Sequence, residues 1–174
     1  MGALWLMLAW LVGARAPTPA ARAIATLMGV AAGLTLPDLD QWLPLTHRSA
    51  LTHSVLILVP LMSGSRGVAA GVALGLGFHL AADCFPRAMV GYATVKWPFV
   101  GSIGAGWSYA WLATNSLVAS ASGAWGLARE EARLGLVVLA GAAVMGAGYL
   151  WSDPGGWPAL VLYAAAGWWV WRRR

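Results

Sequence analysis

Ionisable side chains are crowded into one stretch of this sequence, residues 38–83. All three histidines of the chain lie there, together with three of its six acidic residues. In chain order they are Asp38, Asp40, His47, His53, His79 and Asp83. Imidazole and carboxylate groups are the ligands of catalytic Zn²⁺, Mn²⁺ and Fe²⁺ sites. The grouping therefore predicts a divalent metal site, with Zn²⁺ as the first expectation and Mn²⁺ or Fe²⁺ as the alternatives.

Five of these residues are the expected metal ligands. They are Asp38, Asp40, His53, His79 and Asp83. His79 and Asp83 are four residues apart, which places them on one face of a helix, one turn from each other. That spacing suits two ligands of one ion, or one ligand beside the carboxylate that orients it. Asp38 and Asp40 follow a predicted helix, in a turn where two carboxylates can reach one ion or bridge two.

Polar residues around these ligands are the expected catalytic groups and substrate contacts. The candidate catalytic residues are His47, Arg48 and Asp83, and the candidate substrate contacts are Arg48, Thr52, Ser54 and Lys96. His47 is interpreted as a further ligand or as a general acid or base. Arg48 carries a planar set of donors that suits a phosphoryl or carboxyl oxygen, and an anchor for a lipid headgroup is the open alternative. Lys96 and Arg87 would attract an anionic headgroup.

The rest of the chain is too apolar for an ordinary soluble domain. It is 60% hydrophobic and 10% charged, with a mean hydropathy of +0.69, whereas soluble domains are about 25% charged. We expect an all-α fold, a polytopic transmembrane helical bundle of about five to seven short spans. The predicted helices cover residues 2–12, 23–36, 51–62, 68–82, 103–122, 134–151 and 158–171. They would form one membrane-embedded domain, residues 1–174, with the motifs in about residues 33–99.

The order of the predicted helices indicates where the motifs lie. Two crossings separate the Asp38 motif from His79 and Asp83, so all the motif residues return to one face of the membrane. The opposite face collects most of the basic residues: Arg15, Arg22, Arg66, Arg129, Arg133, Arg172, Arg173 and Arg174. Because basic loops favour the cytoplasm, we expect the site on the extracytoplasmic side. Basic residues that stand singly at the ends of apolar runs, without a basic stripe, argue against nucleic-acid binding.

These motifs resemble those of the YdjM-like membrane-bound, metal-dependent hydrolases of bacteria and archaea. The matching pieces, between about Gly33 and Phe99, are Leu36-Pro37-Asp38-Leu39-Asp40, His47-Arg48, Thr52-His53-Ser54, His79 with Asp83, and Gly91 followed by Trp97-Pro98-Phe99. The resemblance implies a multi-span bundle with a metal centre in a prokaryotic cytoplasmic (inner) membrane. One departure is that family members often carry a histidine near the amino terminus, where this chain has none.

Three functional interpretations follow from the sequence. The first is a metal-dependent hydrolase that acts on a lipid-linked or phosphate-containing substrate at the extracytoplasmic face. The second is a metal-free lipid phosphatase of the type-2 phosphatidic acid phosphatase kind, although the chain contains no Pro-Ser-Gly-His sequence. The third is a transporter, or a scaffold with a structural metal site, which small-residue helices also suit. The expected partners are membrane lipids, and the oligomeric state is left open.

Overall fold

The computed structural model is mostly helical and describes residues 1–15, 18–130, 132–152 and 156–172. Its α-helices are α1 (Gly2–Gly13), α2 (Pro19–Gly33), α3 (Arg66–Asp83), α4 (Ala105–Ala128), α5 (Ala132–Ser152) and α6 (Pro158–Arg172). Short 3₁₀ helices cover Pro37–Gln41, Val55–Leu61 and Gly91–Ala93, and strands β1 (Lys96–Trp97) and β2 (Gly101–Ser102) form an antiparallel hairpin. The predicted helical class is confirmed, with a hairpin in what was expected to be a loop.

Length and composition identify one membrane-span candidate among the described helices. It covers Arg133–Trp151, 19 residues of α5 with a mean hydropathy of 1.8. Gly2–Gly13 is apolar but shorter. The expectation of a multi-span membrane bundle therefore stays a prediction, because length and composition single out only one of the described helices.

α2 begins before its apolar run because its first turn is capped. Thr18 Oγ1 accepts a hydrogen bond from the Ala21 amide at 3.2 Å, and Pro19 occupies the first turn. A side-chain acceptor satisfies one of the free amides of a helix start, and the fixed φ of proline suits that position. At the other end, Pro37 opens the 3₁₀ helix that carries both motif aspartates.

The predicted α-helix over residues 51–62 is wrong in type. This segment folds as turns followed by the 3₁₀ helix Val55–Leu61, and the Ser54 hydroxyl accepts from the Leu56 amide at 3.2 Å to cap it. Pro60 lies inside the helix and lacks the amide hydrogen that an α-helix would use. The seven residues of this helix rise about 14 Å at about 2.0 Å each, far less than an α-helical span.

α2 and α3 pack in parallel and at close range. The facing pairs, in order, are Thr26 with Gly71, Val30 with Gly75, and Leu34 with His79. Residue numbers rise together along both helices, so their carboxyl ends lie at the same level. A Cβ atom at Gly71 or Gly75 would collide with a backbone carbonyl oxygen of α2. Small residues thus permit a backbone approach that side chains would prevent.

The carboxyl ends of α2 and α3 define one end of the bundle, which we call the site end. Gly2, at the start of α1, packs against Leu36 there, and Gly156, just before α6, packs against Ala82. At the opposite end, Arg22 Nη1 lies 3.7 Å from Glu130 Oε2.

The loop between α3 and α4 lies over the site end and is tied to the histidine motif. The Lys96 amide donates to the Arg48 carbonyl at 2.9 Å, and the Ala50 amide donates to the Lys96 carbonyl at 2.8 Å. The Val95 amide also donates to Ser108 Oγ of α4 at 2.9 Å. These bonds fix the backbone around Arg48 against the bundle.

Candidate metal centre

His79, near the end of α3, is oriented by the residues that follow α2. Its Nδ1 atom lies 2.9 Å from the Leu34 carbonyl oxygen and 3.0 Å from the Tyr149 hydroxyl. A carbonyl oxygen only accepts hydrogen bonds, so Nδ1 carries a proton, and in the neutral ring Nε2 keeps its lone pair. The ring is buried, with Nε2 at 3.5 Å from Asp83 Oδ2 and 3.9 Å from Asp38 Oδ1. The neutral ring therefore presents Nε2 as a possible metal ligand beside two carboxylates.

His53 is fully buried and stands between two carboxylates. Its Nδ1 atom lies 3.3 Å from Asp40 Oδ2, and its Nε2 atom lies 3.2 Å from Asp83 Oδ2. The His53 amide donates to the Ser49 carbonyl at 2.9 Å, and the Trp111 indole N–H donates to the His53 carbonyl at 2.9 Å. A carboxylate beside one ring nitrogen orients an imidazole and makes its other nitrogen a better metal ligand.

Asp40 is fully buried, and its Oδ2 atom is bound by its neighbours. Oδ2 accepts from the Ser49 amide at 3.0 Å and from the Thr52 hydroxyl at 3.1 Å. Burial raises the pKa of this carboxyl, but its contacts with His53 and these two donors outweigh burial, so the pKa lies below its usual value. Thr52, expected as a substrate contact, here supports the Asp40 carboxylate.

Arg48 holds Asp83 in place. Arg48 Nη2 lies 2.7 Å from Asp83 Oδ1, and Nη1 donates to the carbonyl oxygens of Ala93 at 2.6 Å and Asp83 at 3.3 Å. Arg48 also has a φ of 56°, a conformation that is uncommon for residues other than glycine. Its guanidinium leaves Asp83 Oδ2 facing the two buried histidines. The expected contact of Arg48 with a substrate oxygen would compete with these bonds.

Five buried atoms on the histidines and aspartates have no hydrogen-bond partner among the described residues. They are Asp40 Oδ1, His47 Nδ1, His53 Nε2, His79 Nε2 and Asp83 Oδ2, which we call the open atoms. A polar atom left unpaired in an interior costs about 1–3 kcal/mol, so five within one cluster need an explanation. Carboxylate oxygens and the unprotonated nitrogens of neutral imidazole rings offer lone pairs. A bound cation is the kind of partner that can satisfy such atoms.

The separations between these atoms suit ligands of one ion. Zn²⁺ binds nitrogen and oxygen at about 2.0–2.2 Å in a tetrahedron, so neighbouring ligands lie about 3.4 Å apart. The Nε2 atoms of His53 and His79 are 3.2 and 3.5 Å from Asp83 Oδ2. Ligand atoms of Asp38, His53 and His79 also lie within 4.8 Å of one another. These three residues form a group that can hold a metal ion, with Asp83 as an adjoining fourth donor.

His47 lies at the rim of the cluster. Its ring stacks on Tyr92, with ring centroids 3.9 Å apart and planes inclined by 13°. Its Nδ1 atom lies 3.8 Å from Asp40 Oδ1. Burial lowers the pKa of His47, because the charged imidazolium is disfavoured away from water. The neutral ring is the form that binds metals or accepts a proton.

Ser54 and Lys96, two of the expected substrate contacts, are engaged in local hydrogen bonds. The Ser54 hydroxyl donates to the Leu51 carbonyl at 3.1 Å as part of its helix cap. Lys96 Nζ donates to the Tyr92 carbonyl at 2.7 Å and lies 5.5 Å from the centre of that ring. Lys96 therefore lies beside the stacked rings of His47 and Tyr92, whereas the Ser54 hydroxyl stabilises the start of the 3₁₀ helix.

The groups that orient the histidines were not found from the sequence. Tyr149, Trp111, Tyr92 and the carbonyl of Leu34 each contact a histidine or its backbone. Tyr149 is 70 residues from its partner His79, so no local spacing connects them. A backbone carbonyl carries no sequence signal at all.

Comparison with known proteins adds no assignment to this geometry. No protein-family model, no curated protein and no solved structure matches the chain. The resemblance to the YdjM-like hydrolases stays a prediction.

Proposed function

We propose that this protein is a membrane-embedded, metal-dependent hydrolase that acts on a lipid-linked or phosphate-containing substrate at the extracytoplasmic end of its bundle. The observation that carries the proposal is the convergence of the open atoms of His53, His79 and Asp83 beside Asp38. Mixed nitrogen and oxygen ligands suit Zn²⁺ first, with Mn²⁺ or Fe²⁺ as alternatives. Sites of this ligand type that keep a position for water or substrate are typical of hydrolytic enzymes.

Support for a membrane location comes from α4, which turns its polar side inward. Its buried polar residues are Ser108, Asn115, Ser116 and Ser120. Its exposed residues include Trp107, Leu117, Val118 and Trp125. These buried polar groups form hydrogen bonds within the bundle; Ser116, for example, donates to the Gly77 carbonyl at 2.8 Å. A helix in water buries its apolar face, whereas polar side chains inside and apolar ones outside are expected where the surroundings are lipid.

Exposed tryptophans mark two levels of the bundle. At the site end these are Trp5, Trp42, Trp97, Trp107, Trp151 and Trp157, and at the opposite end they are Trp10, Trp125, Trp168 and Trp171. The rise along α4 from residue 107 to residue 125 is about 27 Å at about 1.5 Å per residue. That is close to the ~30 Å thickness of a bilayer's hydrocarbon core. Tryptophan favours the two membrane interfaces, so this pattern supports a spanning bundle.

The sidedness rests on the arginines. Arg22 pairs with Glu130 at the opposite end, and the helix directions bring Arg15, Arg66, Arg129, Arg133 and Arg172 to the same end. Arg173 and Arg174 lie outside the described residues. Basic residues favour the cytoplasmic side, so we assign the site end to the extracytoplasmic side of a cytoplasmic membrane.

In the proposed reaction, the chain's residues orient the ligands and handle protons. Leu34 and Asp40 hold the proton-bearing nitrogens of His79 and His53, which directs both Nε2 atoms to the ion. A divalent metal bound there would polarise a phosphoryl or carbonyl oxygen and lower the pKa of its water. His47, at the rim, is placed to exchange a proton through its second ring nitrogen, Nε2.

A groove beside the site supports a lipid-linked substrate. A cavity of about 700 Å³ lies between α1, α3 and the 3₁₀ helix Val55–Leu61. Leu36 and Leu39, which flank the motif aspartates, line one part of it, and Trp10 and Val68 line another. A hydrocarbon chain in this groove would place its polar head beside the metal ligands.

Metal analysis combined with lipid hydrolysis tests the proposal. The purified full chain, stripped with chelator and reloaded with Zn²⁺, should bind metal and hydrolyse phosphatidic acid, phosphatidylglycerol or a p-nitrophenyl acyl ester in mixed micelles. His79→Ala and His53→Ala should lose both metal and turnover. Ser122→Ala, at an exposed position of α4 towards the opposite end, should behave as wild type. If His79→Ala keeps the metal content and the hydrolysis rate of wild type, the proposed metal-dependent hydrolase is contradicted.

A structural metal site in a non-enzymatic scaffold or transporter is the second candidate. The observation that favours it is the near-complete burial of His53 and His79, since structural metal sites are closed. In that case the purified protein would retain metal and lose thermal stability with chelator, yet release no product from any of the lipids. Metal uptake into proteoliposomes would then separate a transporter from a scaffold.

A further inference from the structure

Two of the open atoms lie apart from the group that binds the first ion. Asp40 Oδ1 and His47 Nδ1 are 3.8 Å from each other. The first ion uses Nε2 of His53, whereas Asp40 approaches Nδ1 on the other edge of the same ring. The Asp40–His47 pair therefore lies across the His53 imidazole from Asp83.

Direct contact does not satisfy this pair. A separation of 3.8 Å is too long for a hydrogen bond. Asp40 is fully buried, and within the described part of the chain its Oδ1 atom has no donor. Two ligands that each bind one ion at about 2.1 Å can lie up to about 4.2 Å apart. A cation between Asp40 and His47 would satisfy both open atoms.

We propose that the site holds a second divalent cation, bound by Asp40 Oδ1 and His47 Nδ1. This inference rests on the proposed function, because the first ion is the one held by Asp38, His53 and His79. Two protein ligands leave most coordination positions for water or substrate oxygens. The second ion is accordingly bound more weakly than the first and exchanges more readily. Pairs of ions that share a substrate in this way serve phosphoryl-transfer and phosphatase chemistry.

The charges of the site indicate which substrate class the second ion favours. Asp38, Asp40 and Asp83 with Arg48 carry a net charge of −2 before any metal is bound. One divalent ion neutralises that charge, and a second leaves the site at +2. A phosphate monoester carries about −1.5 to −2 near pH 7, so it complements the charge of the doubly loaded site. A neutral carboxyl ester has no charge that matches it.

Counting bound Mn²⁺ tests the second ion directly. The chelator-stripped full chain in detergent is titrated with Mn²⁺, and free Mn²⁺ is followed by electron paramagnetic resonance. Wild type should bind two ions, the second at least tenfold more weakly, and His47→Ala should bind one with the affinity of the tight wild-type ion. Thr46→Ala, an exposed neighbour, should still bind two. The ion that remains in His47→Ala shows that the variant is folded.

Binding of inorganic phosphate tests the substrate class in the same samples. At saturating Mn²⁺, wild type should bind phosphate at least tenfold more tightly than His47→Ala. Equal phosphate affinity in the two proteins would overturn the role of the second ion in anion recognition.

The outcomes separate this inference from the proposed function. One ion per wild-type chain at saturation, or two in His47→Ala, would overturn the second cation while the first ion and its hydrolysis could stand. If the wild-type chain binds no ion, both the second cation and the proposed function are wrong. If it binds two ions but hydrolyses none of the test lipids, the second cation stands and the proposed hydrolase activity is wrong.

Discussion

Arg48 bonds to Asp83 in this structure, a contact that its chemistry alone does not indicate. A guanidinium in a polar motif predicts a contact with a phosphate or carboxylate of the substrate. Here two of its nitrogens are already bonded to Asp83 and Ala93. We therefore propose that Arg48 positions Asp83, whose Oδ2 atom lies beside His53 and His79; its contact with substrate stays a prediction.

Replacing Arg48 should weaken metal binding more than it destabilises the fold. Arg48→Gln removes the charge that holds Asp83, and we expect Zn²⁺ affinity to fall by about 10–100-fold, as for other residues that orient a ligand. Arg48→Lys keeps the charge without the planar fork and should lie between Gln and wild type. Competition with a chromophoric chelator measures both. Arg87→Gln, an exposed arginine near the same end, is the control, and a loss of affinity there equal to that of Arg48→Gln would contradict the positioning role.

The ligand residues could be identified from the sequence because charged groups are scarce in so apolar a chain. His53, His79 and Asp38 stood out by type and by their order on successive segments. Their supports did not stand out, since a ring orientation depends on distant partners such as Tyr149. The expectation that Thr52 and Ser54 contact substrate stays a prediction. Their hydroxyls bond to Asp40 and to the backbone, contacts that no local pattern indicates.

The glycine contact between α2 and α3 is the structural element on which the site depends most. Because the helices run parallel and touch at Gly71 and Gly75, the end of α3 comes within hydrogen-bond distance of the end of α2. His79 then reaches the Leu34 carbonyl at 2.9 Å. A wider spacing would leave the His79 ring without the contact that sets its tautomer.

Gly75→Ala should weaken the packing of α2 against α3 and, as a consequence, lower the metal content. The added Cβ meets the Val30 carbonyl and the Leu34 amide, and overpacking of this kind costs about 1–3 kcal/mol. Unfolding in detergent, followed by tryptophan fluorescence, gives the stability, and metal analysis gives occupancy. Gly148→Ala is the matched control, because no described atom lies within 4 Å of its added Cβ. There the better helix propensity of alanine should leave the protein equal or more stable. A Gly75→Ala protein as stable as Gly148→Ala would contradict the close packing.

Helices were predicted well where one apolar run forms one helix, and poorly where local chemistry interrupts the run. α3 and α5 follow their predicted ranges within two residues. Residues 51–62 are as apolar as a helix, but Pro60 and the Ser54 cap favour a short 3₁₀ helix. The predicted end of α4 is too early, since the small and apolar residues after Ser122 continue the helix to Ala128. Hydropathy does not predict where these helices end, because their ends depend on which residues are buried in the fold.

The molecule combines an apolar core with a set of buried polar side chains on α4, and many of its large apolar side chains are exposed. That arrangement explains why composition alone identifies α5 and passes over α4. The serines and asparagine of α4 lower its mean hydropathy, yet they face the bundle and bond within it. Its lipid-facing side would consist of the exposed residues around Leu117. A test of membrane integration is therefore sharpest on that face.

Leu117→Arg should sharply reduce the fraction of the protein that is integrated in the membrane. Leu117 lies near the middle of α4 and is 53% exposed. An arginine at the centre of a bilayer costs about 2.5–3.5 kcal/mol, whereas the same change on a water-exposed helix lies within about 0.5 kcal/mol. Sodium carbonate extraction of cell membranes measures integration, with Ser63→Arg as a control that adds the same charge at the basic end. Wild-type protein that is extracted by carbonate, or Leu117→Arg that resists extraction as well as Ser63→Arg does, would contradict a lipid-facing α4.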